Sequence, residues 1–199
     1  MNTKYQQIIE DHLKNLYANP REGLEWALPA RKEGDSYYFR ALGDDCCLGP
    51  DGITFSKEPE IGPKGILISL YSNHVTQDSI QLKPFIAFKG LPDSMPYHGA
   101  FSMNSERILS PHVLQIRERR NVILDTFGGK SNPSGTVGDF SLLLYPLPKI
   151  ALCYIFYLPD NEFPASTTCL FSSNAVSFMP LDGLADVGEY TSKKILQLL

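Results

Sequence analysis

The chain has 199 residues, of which 43% are hydrophobic and 20% charged, so it can bury a sizeable core without a disulfide or metal staple. Its formal net charge of −4 argues against a nucleic-acid partner, because proteins that bind phosphate backbones carry a basic balance or a basic stripe. The start of the chain lacks the apolar core of a signal peptide, and prolines divide the most apolar stretch, so we expect no membrane association and a cytoplasmic location.

Two helix patterns open the chain. Residues 4–17 place their apolar side chains on one helical face, which predicts an amphipathic helix. Asn19 followed by Pro20 has the form of an N-cap and a first-turn proline, which predicts a second, short helix from that point.

A group of strand patterns follows, rich in aromatic and apolar residues. The turn signature Gly49-Pro50-Asp51-Gly52 separates the last two, which predicts a hairpin within a small meander. The three predicted strands are residues 36–42, 46–48 and 53–55.

The middle of the chain is mainly helical in pattern. Ser110-Pro111 resembles a capped helix start, and Gly128-Gly129 supplies the stop. The predicted elements are a helix over 65–74, for which a buried strand is the alternative, a strand over 84–88, helices over 97–109 and 110–127, and a polar loop over 130–138.

The last third contains the most continuous apolar run, which predicts a hairpin of residues 140–145 and 150–157, a third strand over 167–171 and a closing helix over 181–199. Helices thus lie at both ends and in the middle, with clusters of strands between them. This order predicts an α+β fold, with a mainly antiparallel sheet packed against several helices in a single domain spanning residues 1–199.

The sequence requires no cofactor and predicts no metal site. It contains no dinucleotide-binding glycine motif, P-loop, nucleophile elbow or zinc-protease helix motif, and its cysteines lack metal-ligand spacing. Cys153 and Cys169 lie in apolar runs, which predicts buried free thiols. Whether the neighbours Cys46 and Cys47 have a redox role stays open.

The acidic residues at the ends of the predicted hairpin are the best candidates for chemistry. Asp139 enters one strand, and Asp160 and Glu162 follow the other, so an antiparallel pairing brings them to one edge. Carboxylates placed there can bind a ligand or a cation, or act as acid and base. The sequence therefore predicts a ligand site of Asp139, Asp160 and Glu162 lined by Phe163 and Tyr97. The alternative is a plain turn with a solvated charge.

The same region resembles the uncharacterised prokaryotic family known as domain of unknown function 3786. The pattern is a Gly-Asp pair, an apolar strand, Leu-Pro, a second strand, an acidic Asp-x-Glu-Phe-Pro-Ala corner and Leu-Phe. The matching residues are Gly138-Asp139, Leu147-Pro148, Asp160-Asn161-Glu162-Phe163-Pro164-Ala165 and Leu170-Phe171, with Phe88-Lys89-Gly90-Leu91-Pro92, Tyr97 and Phe101 upstream.

The resemblance implies a metabolic context for the protein but no particular reaction. Similar proteins occur largely in anaerobic bacteria and archaea, some with an added iron–sulfur domain and some encoded near corrinoid or methyl-transfer systems. The leading hypothesis is a cytoplasmic binding or accessory module with a small-molecule or protein partner, linked to anaerobic redox or corrinoid-dependent metabolism. Two alternatives stay open: a hydrolase or lyase that uses the clustered carboxylates with or without a divalent metal, and a structural subunit.

Overall fold

A computed structural model describes residues 4–199 and shows an α+β fold, as the sequence predicts. The helices are α1 (Lys4–Ala18), α2 (Leu24–Ala27), α3 (Pro63–His74), α4 (Met95–Phe101), α5 (Val113–Phe127) and α6 (Leu181–Gln197). The strands are β1 (Arg31–Glu33), β2 (Ser36–Ala41), β3 (Asp44–Gly49), β4 (Gly52–Phe55), β5 (Glu58–Pro59), β6 (Ile86–Ala87), β7 (Lys130–Ser131), β8 (Phe140–Leu147), β9 (Ile150–Tyr157) and β10 (Ser166–Phe171).

The first sheet is an antiparallel meander in the order β1-β2-β3-β4-β5. The predicted hairpin is confirmed, because Gly49 pairs with Gly52 across the turn between β3 and β4. Two short strands that the sequence analysis did not identify, β1 and β5, extend the sheet on either side. Charged residues on β1 and Pro59 on β5 make these edges poor templates for pairing with another chain.

The second sheet has the order β6-β10-β9-β8-β7, and every pairing in it is antiparallel. The predicted β8–β9 hairpin and the third strand β10 are confirmed, and the register between β8 and β9 shifts between Leu144 and Leu147. Strand β9 is buried from Ile150 to Phe156. Both faces of this sheet are therefore covered.

Two groups of apolar side chains cover these faces. One face joins the main core, where the rings of Phe88 and Phe101 stack with centroids 4.2 Å apart and both lie against Phe171. The other face carries a smaller cluster around Cys153, with apolar side chains from the loop after α3 packed against it.

A buried lysine fixes that loop to the tip of the β8–β9 hairpin. Lys149 is only 6% exposed, and its Nζ donates hydrogen bonds to the backbone oxygens of Thr76 at 2.7 Å and Asp78 at 2.8 Å. Its ammonium also lies 5.6 Å from the centroid of the Phe178 ring. Burial lowers the pKa of Lys149, and these contacts stabilise its charged form.

Helix α4 continues into a π-helical turn over Ser102–Arg107, within the segment predicted as helical. The buried Ser192 hydroxyl of α6 donates to the Ser105 backbone oxygen at 2.6 Å. Gly188, also on α6, lets this turn approach closely, because a Cβ there would lie 2.6 Å from a ring carbon of Phe101. The turn and α6 are thus packed against each other almost without space between them.

Three local predictions differ from the structure. The second helix does not start at Asn19: it spans only Leu24–Ala27 and follows Gly23, which has a left-handed φ of 72°. The reason is tertiary, because the Arg21 guanidinium donates to the backbone oxygens of Ser72 and Val75 at the end of α3 and holds this segment outside a helix.

The other two differences concern residues 84–88 and the loop over 130–138. Only Ile86–Ala87 forms a strand in the first segment, and a 3-10 turn starts at Phe88. The predicted loop contains the two-residue strand β7, which pairs with β8 at Leu142 and Leu143.

No helix within the described residues 4–199 is long and apolar enough to cross a bilayer.

The close approach at Gly188 gives a stability prediction with a matched control. We expect Gly188→Ala to lower the free energy of unfolding by about 1–3 kcal/mol, because the added methyl group overpacks the contact with Phe101. Gly99→Ala in α4 meets no atom within 4 Å, and we expect it to be neutral or up to about 1 kcal/mol stabilising. Urea unfolding of both variants measures the difference; equal effects would contradict this account.

Candidate functional site

One face of the first sheet carries a row of partly exposed polar side chains. Tyr38 on β2 pairs with Cys47 on β3, and Cys47 pairs with Thr54 on β4. Arg31 on β1 pairs with Tyr38 and extends the row. Because directly paired residues of an antiparallel sheet project to the same side, these residues share one face, which we call the outer face.

The alternation of β2, β3 and β4 explains why this row is polar. Side chains next to the row point the other way into the main core, since successive residues of a strand face opposite sides. These core-facing residues are Tyr37, Phe39, Cys46, Leu48 and Ile53. Burying them leaves the intervening polar residues on the outer face.

Cationic side chains stand around the row. The Arg31 guanidinium lies 4.9 Å from the centroid of the Tyr38 ring and forms an ion pair with Glu33. Arg40 donates to the backbone oxygens of Gly43 at 2.7 Å and Thr126 at 3.2 Å, and lies 3.9 Å from a carboxylate oxygen of Asp45. Arg40 is therefore held in place by the protein itself.

A third cation comes from the turn between β4 and β5. Ser56 and Lys57 both have left-handed backbone angles, with φ of 50° and 74°, as the two central residues of a tight hairpin turn require. Within residues 4–199, the Lys57 side chain makes no hydrogen bond or ion pair. This ammonium is available to a ligand.

Together these residues form a cavity of about 840 Å³, which we call the outer groove. Its floor contains Tyr38, Cys47 and Thr54, and its charged lining consists of Arg31, Arg40 and Lys57 against the single carboxylate of Asp45. A volume of this size is within the range of small-molecule sites. The groove is cationic in a chain whose net charge is −4.

A second cavity of about 590 Å³ lies between α1 and the β3–β4 hairpin, and we call it the helix cleft. Tyr17 of α1 lines it and donates hydrogen bonds to the backbone oxygens of Asp35 at 2.8 Å and Leu48 at 3.3 Å. Burial is the main cause that raises the pKa of the Tyr17 hydroxyl well above its ordinary value. The cleft and the outer groove share Cys47 and Thr54.

The neighbouring cysteines 46 and 47 lie on opposite sides of β3. All four cysteines are free thiols, and Cys46 is buried whereas Cys47 is partly exposed in both cavities. Burial raises the pKa of Cys46 above its ordinary range. Interaction with the Cys47 side chain, mainly as a hydrogen bond, also raises the pKa of Tyr38. Both cysteines line the outer groove, but only the Cys47 thiol is partly exposed there.

The other two thiols are buried, as predicted. Cys153 lies in the smaller cluster of the second sheet, and burial raises its pKa to about 12. Cys169 is fully enclosed in the main core, and burial raises its pKa well above the ordinary value.

The predicted acidic corner lies at the open end of the β8–β9 hairpin. The Asp139 carboxylate accepts a hydrogen bond from the Leu158 backbone nitrogen at 2.7 Å, so the two hairpin ends do meet. The Asp160 carboxylate accepts from the backbone nitrogens of Glu162 at 2.8 Å and Phe163 at 2.7 Å. These two hydrogen bonds lower the pKa of Asp160.

The two aromatic residues predicted to line this corner are both exposed. Phe163 is 67% exposed beside Asp160, and Tyr97 is 50% exposed on α4. In the described part of the chain, no hydrogen bond, ion pair or ring contact joins Tyr97 to the corner. The Asp139 carboxylate thus binds the backbone two residues before Asp160, and Asp160 binds the backbone of Glu162 and Phe163; their role in ligand binding stays a prediction.

The sequence analysis did not identify the outer groove. Its signal was present in the alternation of Tyr38 and Arg40 with the apolar Tyr37 and Phe39. The sequence pattern does not show the register of the strands, and it is this register that places Arg31 and Lys57 around Tyr38 and Arg40. Among residues 4–199, no group of three or more His, Cys, Asp or Glu side chains is arranged to hold a metal ion.

The fold and the site together define a class: an α+β protein of two antiparallel sheets, with an open cationic face on the first. A family model described as Domain of unknown function (DUF3786) matches residues 8–194. The chain belongs to this family, which confirms the resemblance seen in the sequence. No curated protein and no solved structure gives a significant match.

The cysteine geometry predicts selective labelling. We expect a thiol reagent to modify about one cysteine per folded chain, at Cys47, because burial protects the other three. Mass spectrometry of the labelled protein gives the count, and Cys47→Ser should abolish it, whereas denatured protein should label at all four cysteines. Labelling at Cys46 in the folded protein would contradict this arrangement.

The Asp160 turn predicts a pH-dependent signal. Its pKa is lowered, so the carboxylate that accepts the two backbone hydrogen bonds is present at neutral pH and is lost only as pH falls below the ordinary value of 3.8. We expect the amide resonances of Glu162 and Phe163 to shift together in an NMR titration, with a midpoint below 3.8. Asp160→Asn should remove this transition. A midpoint at or above 3.8 would show that the carboxylate is not held by these amides.

Proposed function

We propose that the chain is a small-molecule binding module that takes an anionic ligand in the outer groove. The observation that carries this proposal is the charge of the groove: three cations and one carboxylate surround a partly buried floor in an acidic protein. A cleft lined mainly by one sign of charge concentrates ligands of the opposite sign. Lys57 is the cation without a hydrogen-bond or ion-pair partner among residues 4–199, whereas Arg31 pairs with Glu33 and Arg40 binds two backbone oxygens.

The two kinds of cation suit different parts of an oxyanion. An arginine offers a planar fork that matches a carboxylate or phosphate, whereas a lysine acts as a compact point charge. The Tyr38 and Thr54 side chains add hydroxyl groups on the floor between them. The groove thus combines charge attraction with neutral hydrogen-bond partners, which is what orienting an organic anion requires.

The wider setting of the proposal comes from the family resemblance. On that basis, the module serves anaerobic redox or corrinoid-dependent metabolism in the cytoplasm, and a corrinoid is the first large ligand to test. The carboxylate-based hydrolase or lyase and the structural subunit remain alternatives. The acidic corner is a second proposed ligand site, supported by the meeting of Asp139 with the strand that leads to Asp160.

Calorimetric titration with ethyl phosphate tests the anion site. We expect binding that weakens as ionic strength rises, because the attraction is between partly exposed charges. Lys57→Asn should weaken binding about fivefold, since one exposed charge contact contributes up to about 1 kcal/mol, and asparagine tolerates the left-handed backbone of the turn. The control is Lys130→Asn, which removes an exposed lysine on β7 outside the groove.

Equal weakening in the two variants would show only a general charge effect, and absence of binding to the parent chain would overturn the proposal. A parallel anaerobic titration with a corrinoid, followed by absorbance, tests the metabolic setting separately. Asp139→Asn in that titration tests the acidic corner: loss of corrinoid binding with ethyl phosphate binding unchanged would place the larger ligand there.

A further inference from the structure

The outer groove and the helix cleft are two parts of one surface. Cys47 and Thr54 line both cavities, so the groove and the cleft adjoin at the middle of β3 and β4. Resting on the proposed function, we infer that the ligand is an amphipathic organic anion. Its phosphate or carboxylate head lies in the outer groove, and its hydrocarbon part lies in the helix cleft.

The lining of the cleft is what favours a hydrocarbon. Six apolar residues from α1, the β3–β4 hairpin, β5 and the segment after it line the cleft: Ile9, Leu13 and Ile53, which are buried in the main core, and Pro50, Pro59 and Ile61, which are exposed. Ile61 is 52% exposed, so part of this apolar wall is in contact with water. Covering it with a hydrocarbon removes apolar surface from water on both sides.

Charge fixes the direction in which such a molecule lies. Among residues 4–199, the cleft is lined by three acidic residues, Glu10, Asp51 and Glu60, and one cation, Lys14, which is the reverse of the charge balance in the outer groove. An anionic head is repelled from the cleft and attracted to the groove, since like charges disfavour and opposite charges favour one another. The two ends of the ligand are therefore distinguished by electrostatics as well as by polarity.

Small side chains lie at the junction between the two cavities. Cys47 and Thr54 are both small, and Gly52, which lines the helix cleft near the hairpin turn, has no atom within 4 Å of the position that a Cβ would take. A chain of methylene groups can therefore cross the row without displacing a large side chain. Replacing Thr54 with a bulky residue should close this crossing.

A series of alkyl phosphates tests the inference. We expect affinity to rise from ethyl to butyl, hexyl and octyl phosphate, by up to about fourfold for each methylene that becomes buried. Ile61→Ser should flatten this rise without changing the affinity for ethyl phosphate. Val176→Ser, at a 42% exposed site that lines neither cavity, is the matched control and should leave the whole series unchanged.

A second variant tests the same inference at a position away from Ile61. Thr54→Tyr should lower the affinity for octyl phosphate to that for ethyl phosphate, because the larger side chain blocks the crossing from groove to cleft. Each outcome is decisive. Binding of ethyl phosphate with no dependence on chain length would overturn this inference and leave the anion site standing, whereas no binding by any member of the series would overturn both. Binding to anionic phospholipid vesicles but not to monomeric octyl phosphate would also overturn it, because the ligand would then be a membrane surface.

Discussion

The burial of β9 on both faces is the constraint on which the rest of the structure depends. A strand that is apolar from Ile150 to Phe156 must be covered on both sides. The main core, which includes helical side chains, packs against one face, and the loop after α3 packs against the other. Lys149 ties that loop down through two backbone oxygens. The meander of the first sheet, by contrast, keeps one face open.

The open face of the first sheet is both concave and lined by cations. The two sheets touch where the Leu42 backbone nitrogen donates to Pro146 at 2.6 Å, and the inner face of the meander joins the main core. The outer face is left with polar side chains and three cations, of which Arg40 is engaged by the protein and Lys57 is not. This concave face with cations around its floor is the surface on which the proposed anion site rests.

Sequence patterns predicted the elements that are stabilised by local interactions. The hairpins, the long helices and the buried thiols Cys153 and Cys169 follow from alternation, turn residues and apolar periodicity, and all are present. The helix expected at Asn19 failed because Arg21 binds the end of α3, a contact more than fifty residues away in the chain. The acidic corner forms a turn around Asp160, as the sequence allowed, and whether it binds a ligand stays a prediction.

The sequence by itself determined the α+β class, the family and the pairing of the β8–β9 hairpin, since these depend on neighbouring residues and short turns. Only the tertiary structure decided where the proposed ligand site lies. Arg31, Tyr38, Cys47 and Thr54 come from four separate strands, and the register of those strands alone brings them into one row. A one-residue change of register turns every side chain to the opposite face, so the site exists only once the sheet has formed.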